Sequence, residues 1–352
     1  MADQGGFFDT DERLRWLSAA GDPLERLAAV VDFELFRPEL DAALGRSDRA
    51  KGGRPPYDAV LMFRVLVLQT LYTLSDDQAE YQLRDRLSFM RFAGLSLSDA
   101  VPDAKTIWLF REQLTQAGLD EKLFARFDRE LEHNGFAARK GQIIDAAIVE
   151  APRQRNTRDE NKQIKQTGQA PRQWAETPNK LRQKDVDARW TRKNEVNYFG
   201  YKNHLSVDRE HKLIRKWAVT DAAVNDSQVF EQILDECNAS GEVWADAAYR
   251  SEASLKRLKK WGYREHVQRK GVRGRPLTAW EKQGNRTRAR VRSRVEHVFG
   301  IQAMRATGNL LLRTIGLARA RCKIGLRNLS YNIARYVILP RTKASGLAPV
   351  CT

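Results

Sequence analysis

Cysteine is scarce in this chain: three residues in 352, Cys237, Cys322 and Cys351, with no Cys-x-x-Cys pair. That argues against a disulfide framework and against a structural zinc site, and it fits a reducing cytoplasm. Long apolar runs are missing as well. No uninterrupted stretch approaches the roughly 20 residues that a spanning helix needs, so a membrane partner is not expected. The opening Met1-Ala2-Asp3-Gln4-Gly5-Gly6 lacks the basic and apolar regions of a signal peptide. Positive charge is under-represented in the first part only. Residues 1–140 hold 19 Lys and Arg against 24 Asp and Glu, a net of −5, whereas residues 141–352 hold 42 against 21, a net of +21. With 42% hydrophobic residues the chain has material for a proper core and about two domains. A basic half of this size favours a polyanionic partner.

The first 139 residues read as all-helical. Asp58 caps an apolar helix from Val60 to Leu74, after the break Lys51-Gly52-Gly53-Arg54-Pro55-Pro56. Ser75 starts a further helix, Gly94 ends the next segment, Asp103 opens another, and Gly118 separates it from a last helix over Leu119–Glu132. Short helices with tight turns admit a helix-turn-helix, and equally a bundle used for dimerisation. The texture changes at Lys140. An apolar strand carrying Asp145 comes first, followed by a polar stretch over 152–196 that reads as a mobile loop or solvated linker. Two alternating runs, Tyr198–Val207 and Leu213–Val219, predict a hairpin turning at Asp208–His211. A helix from Asp226 to Cys237, a strand over Glu242–Ala245, a helix over Ser251–Trp261, a strand over Tyr263–Val267, a basic loop over Arg269–Arg286, the helix with Glu296 and a final helix over Ala318–Ile338 follow. The expected class is therefore α/β, a mixed sheet flanked by helices (residues 140–340) preceded by an all-helical domain (1–139), with a short tail over 341–352.

Three acids stand in informative places. Asp145 shares a strand face with Ile143, Ala147 and Val149, while Glu150 lies on the other face. Asp246 ends the strand Val243-Trp244-Ala245, where α/β sheets gather ligands, although a helix cap is an alternative. Glu296 repeats with Arg288 and Arg292 every four residues on one face of a basic helix, where an ordinary ion pair is the plain alternative. Asp221 and Asp226 read as turn and N-cap residues. Carboxylates beside apolar neighbours are costly unless paired, hydrogen-bonded or metal-bound. Three that converge would make a hard-oxygen site.

The stretches Asp145–Pro152, Tyr198–His204, Ala245–Tyr249 and Arg292–Gly300, together with Gly53–Tyr57 and Pro102–Thr106, resemble bacterial insertion-sequence transposases of the DDE class, most of all the "insertion sequence five" family. The resemblance implies an RNase H-like core. It also implies Asp145, Asp246 and Glu296 as the catalytic and metal-binding triad for magnesium, with manganese substituting. Arg292 and Glu296 match the arginine and glutamate of a tyrosine–arginine–glutamate–lysine signature. Ala289 and Ala303 stand at its other two positions, with Arg305 the candidate replacement for the lysine.

The implied chemistry is phosphodiester hydrolysis at element ends, followed by attack of the freed 3′-hydroxyl on target DNA. A bridging Asp145, with Asp246 and Glu296 each completing one side, would hold two ions. Double-stranded DNA is the expected partner, in the cytoplasm with the nucleoid and with a homodimer when DNA is bound. Arg288, Arg292, Arg294, Lys202, Arg273 and Arg275 are the expected phosphate contacts. Two other readings are an RNase H-like nuclease that cuts without joining and a non-catalytic DNA-binding protein.

Overall fold

In a computed structural model the described residues are 8–44, 55–305 and 311–339, and they form two compact units. The expectations on Gly53, Arg54 and the tail over 341–352 lie outside the described residues, as does the side chain of Arg305.

One unit runs to Phe127 and includes the last helix from Leu326 onward. Its helices are α1 (Asp9–Ala19), α2 (Pro23–Val30), α3 (Arg37–Leu44), α4 (Ala59–Leu71), α5 (Asp76–Asp85), α6 (Leu87–Ala93), α7 (Ala104–Gln116) and most of α8 (Leu119–His133). The ends follow local chemistry. The Asp58 carboxylate accepts from the Val60 and Leu61 N–H groups, Ser75 and Gln78 form a capping box, and Asp103 accepts from Thr106. Gly94 ends α6 in the left-handed region. α4 is buried nearly all round, and Phe33, Phe36, Phe63 and Phe92 pack about it with ring centroids 4.7–6.2 Å apart.

The other unit, Asp128 to Gly325, is built on a six-stranded mixed sheet. Its strands are β1 (Gln142–Glu150), β2 (Arg189–Lys193), β3 (Val196–Asp208), β4 (Ile214–Asp221), β5 (Glu242–Ala245) and β6 (Arg264–Val267). β3 is the long one. It pairs antiparallel with β1 along one edge, and along the other with β2 and then β4. β5 lies parallel to β1 and β6 parallel to β5. One sheet face buries Ile144, Val243 and Ala245 against Phe230, Ile233, Tyr249 and Leu258; the other buries Val149, Phe199 and Tyr201 against Leu312, Ala320 and Ile324. The helices are α9 (Arg158–Thr167), α10 (Pro178–Gln183), α11 (Asp226–Val229), α12 (Glu252–Lys260), α13 (Ala279–Arg305) and α14 (Leu317–Ile338). The expected mixed sheet flanked by helices, preceded by a helical region, is what forms.

Three segments differ from expectation, one of them the basic loop expected over Arg269–Arg286, which gives way to α13 already at Ala279. The polar stretch over 152–196 is not a structureless loop: Thr157 and Glu160 form a capping box for α9, and β2 closes on β3 through Asn194 and Glu195, both at positive φ (48° and 64°). Trp174 is buried there at 1% exposure, its indole donating to Glu160, which also takes Lys180. The helix expected over Asp226–Cys237 is regular only to Val229. Farther along, the buried Gln142 amide bonds both the N–H and the carbonyl of Asp235.

Gly200 explains itself sterically. A Cβ there would overlap the Val149 carbonyl and sit 2.8 Å from the Ala151 nitrogen. Gly200→Ala is expected to force β3 off the end of β1 and cost about 1–3 kcal/mol. Urea unfolding that gave the wild-type midpoint would show that the strands yield more easily than this.

Candidate active site

Strand register brings two of the acids together. β1 and β5 pair in parallel through Ile143↔Trp244 and Ile144↔Ala245, so the next step along both strands is Asp145 and Asp246. Neighbouring strands lie about 4.8 Å apart, and side chains one step on from Ile144 and Ala245 share the opposite sheet face. Asp145 is 8% exposed. One carboxylate oxygen accepts from the Ala146 N–H at 2.8 Å, and the other takes the Arg292 guanidinium at 2.6 Å. Asp246 caps the short turn Ala247–Tyr249 by accepting from Ala248 at 2.8 Å, while Ser251 caps α12. The acid at the strand end is thus a cap as well.

α13 supplies the third acid. Val295 and Val298 are wholly buried and dock this helix on the sheet, where α13 meets β1 and β5. That leaves Arg288, Arg292 and Glu296 on one flank, with Arg292 reaching Asp145 and Glu296 exposed. The Nε atoms of Arg288 and Arg292 are buried without a hydrogen bond.

Electrostatics links the three acids. Burial pushes the Asp145 carboxyl up to about 6; Arg292 and the Ala146 N–H pull it down, and the charges of Asp246 and Glu296 push it up again. The donor set suits a hard divalent cation, since all three ligands are carboxylates. The spacing is wider than a closed coordination shell. Among the described residues no three His, Cys, Asp or Glu side chains are close enough to hold a metal ion as they stand. In this arrangement Arg292 is the cation that neutralises Asp145.

The remaining sequence candidates fall in different settings. Arg273 and Arg275 are exposed on a tight turn, where Val272 and Arg275 bridge about Gly274 at φ +83°. The loop leading to that turn is pinned to α13 by Asn285, which bonds both backbone groups of Arg269. Arg294 is exposed on the other flank of α13 and donates to the Arg209 carbonyl at 2.8 Å. Lys202 turns inward: its ammonium is held by Asp226 at 2.9 Å and by the Val224 carbonyl at 2.7 Å. His204 is a hydrogen-bonded strand histidine, 2.9 Å from the Thr220 hydroxyl, and burial lowers its pKa to about 4. Ala289 and Ala303 are half-buried on α13.

The reading of Asp226 as an N-cap is corrected. Asn225 holds that position without a side-chain cap, and the Asp226 carboxylate pairs with Lys202 instead. Asp221 is a turn residue as expected, accepting from Ala223 at 2.8 Å. Sequence reasoning assigned no role to Tyr249. This tyrosine is wholly buried, its hydroxyl makes no hydrogen bond, and the charges of Asp226, Asp145 and Asp246 act on it after burial has already raised its pKa. Its place three residues after Asp246 was the available signal.

Residues 11–113 match the family model of a Transposase domain (DUF772), and residues 137–333 match that of the Transposase DDE domain. The synaptic complex of the piggyBac transposase with hairpin DNA is similar over 92% of this chain and 76% of that chain, at 11% identity and a TM-score of 0.43. No single described helix is long and apolar enough to cross a membrane. A β1–β3–β4 antiparallel block continued by parallel β5 and β6, with acids on β1 and after β5 and a helix bearing a third, is RNase H-like in form. With the second model spanning more than half of the sequence, the chain belongs to the family of DDE transposases.

Proposed function

We propose that this protein cuts phosphodiester bonds at the ends of an insertion element and joins the freed 3′-hydroxyl to target DNA, with Asp145, Asp246 and Glu296 as its catalytic acids. The observation that supports this reading is the β1–β5 register, which sets Asp145 beside Asp246 on the face where α13 presents Arg292 and Glu296. Asp145, Asp246 and Glu296 would hold the divalent metal, magnesium or manganese. When bound, such ions supply a Lewis acid at the scissile phosphate and lower the pKa of the attacking hydroxyl.

The chain's own groups do the rest. Asp145 presents a buried carboxylate whose charge is costly until a cation meets it. Arg292 offsets that cost only in part in the free protein and lies where it can hold a phosphate oxygen beside the acids. In the first reaction water attacks phosphorus and the 3′-oxygen leaves with a proton. In the second that hydroxyl attacks a target phosphodiester and displaces another 3′-oxygen, so one ester forms as one breaks. Arg288, Arg273 and Arg275 grip backbone phosphates, contacts that position DNA without reading sequence. Lys202, tied to Asp226, stands outside that set. The helical unit binds element ends, pairs two copies of the chain, or does both, and the DNA-bound form is a homodimer.

The test is a magnesium-dependent cleavage and joining assay on supercoiled DNA carrying the element's ends. Asp145→Asn, Asp246→Asn and Glu296→Gln should each lose both activities while still binding DNA. Full activity in any one of them would remove that acid from the site. Hydrolysis by the wild type without joining of pre-cleaved ends would favour an RNase H-like nuclease instead.

A further inference from the structure

A second basic feature of the sheet unit lies away from the three acids. At the start of β1 and β5, the strand ends opposite to the one followed by Asp246, a cleft of about 510 Å³ is walled by Arg139, Lys140, Arg209, Ser240 and Arg294, with Glu210 and Glu242 beside them. Four cations face two acids, a surplus of two positive charges. Lys140 is engaged by Glu210 at 2.6 Å and Arg209 by Glu242 at 3.2 Å, which leaves Arg139 and Arg294 to supply the surplus.

Part of the wall is fixed. The Arg209 guanidinium lies 4.5 Å from the centre of the Trp244 ring. Arg294 is tied to the Arg209 carbonyl at 2.8 Å. Gly141, at φ +93°, is pressed so closely on Trp244 that an added Cβ would sit 2.5 Å from the ring and 2.8 Å from the Glu242 carbonyl. Pre-set donors around a cavity lose little entropy when an anion arrives.

We infer that this cleft binds a backbone phosphate of the DNA held by the enzyme, distinct from the phosphate that is cut; the inference rests on the proposed function. Three guanidinium groups and an ammonium around a hydroxyl make a donor set for phosphate oxygens. The cavity is more than tenfold the ~30 Å³ share of one water, room for a stretch of sugar–phosphate rather than a lone ion. α13 couples the two places. Arg292 and Glu296 occupy the flank toward Asp145, and Arg294, between them in sequence, occupies the flank toward the cleft. The four steps from Glu242 to Asp246 span roughly 13 Å at the rise of a strand. The scissile phosphate cannot fill both sites, but one DNA molecule can.

The experiment uses the full-length protein and a fluorescent duplex carrying the element's end, with binding followed by anisotropy across a salt series. Arg139→Gln combined with Lys140→Gln removes two exposed donors, and Arg294→Gln is a separate variant should the pair fail to fold. Each is expected to reduce the log–log salt slope by about 0.9 for a lost phosphate contact, and to weaken binding roughly tenfold at the cost of one charge-assisted contact. An unchanged slope in both variants, with the wild type binding DNA, would overturn the cleft and leave the proposed function standing. A wild type that binds no DNA at any salt would overturn the proposed function itself, and the cleft with it. Calorimetry with inorganic phosphate separates the remaining source. Saturable binding of the free ion, lost in the variants while their DNA slopes stay at the wild-type value, would make this a free-phosphate site instead.

Discussion

Asp145→Asn should abolish DNA cleavage and at the same time make the protein more stable at neutral pH. The loss of activity is expected to be on the order of 10³-fold or more, equivalent to about 4 kcal/mol of transition-state stabilisation. The gain in stability follows from burial. The Asp145 carboxyl ionises near 6 instead of at the ordinary 3.8, because burial costs more than Arg292 and the Ala146 N–H return. A raised acid means that the native state binds its proton more tightly than the unfolded chain does. The contribution of Asp145 to stability is therefore greatest below about pH 4, falls as pH rises toward 6, and stays lower above that. An asparagine keeps the shape and the acceptor for Ala146 but never ionises. Its advantage should be absent near pH 4, grow through pH 5–6, and level off above pH 7 at no more than about 3 kcal/mol, since each tenfold change in an acid's ionisation constant is worth ~1.4 kcal/mol. Chemical denaturation of both proteins across this range checks the sign. A wild-type protein that outlasts the variant at pH 7 would mean that Arg292 compensates Asp145 in full. Trading stability for a buried, reactive charge is the expected signature of a site kept for chemistry.

Arg215→Met is expected to be the most damaging single change outside the site. Arg215, on β4, is 4% exposed and stands among acids: it pairs with Asp128 at 2.7 Å, bonds the Phe136 carbonyl, and feels the charges of Asp208 and Asp235. Asp208 and Asp235 are themselves buried, at 0% and 3% exposure. Methionine fills similar volume but leaves these carboxylates without their shared cation. Breaking a buried pair from one side costs about 3–5 kcal/mol. The pH dependence identifies the cause. Burial already raises the Asp235 pKa against the pull of Arg215, and Glu132 is raised by burial and by Asp128. Without the guanidinium these acids bind protons more readily, so the deficit should shrink as pH falls from 7 toward 5. Guanidinium chloride midpoints at both pH values measure it. A deficit of the same size at pH 5 and pH 7 would point to lost packing rather than stranded charge.

Much of the candidate site was legible because its signals are local. The alternation along Ile143–Val149 separates Asp145 from Glu150 by strand parity alone, and the four-residue spacing of Arg288, Arg292 and Glu296 defines a helix flank. The hairpin turning at Asp208–His211, the caps at Asp58, Ser75, Asp103 and Ser251, and the strand before Asp246 likewise follow from residues within a few positions of one another. Thr157 and Glu160 carried the same kind of signal for α9, yet the polar composition around them concealed a helix whose cover comes from Trp174.

Tertiary structure alone decided the rest. Nothing in the local pattern places Asp246 beside Asp145, since their pairing joins strands a hundred residues apart and is set by burying Ile144, Val243 and Ala245 on one face. The same holds for Arg292, whose partner could have been any acid within reach of its flank and is Asp145. Lys202 and Asp226 show the converse: the sequence reads one as a phosphate contact and the other as an N-cap, and packing turned them onto one another. Periodicity and capping are encoded between neighbours, so the sequence by itself determined which elements form and which faces carry acids. Register, burial and charge pairing are settled only when distant faces exclude water together, and that is where the candidate site was made.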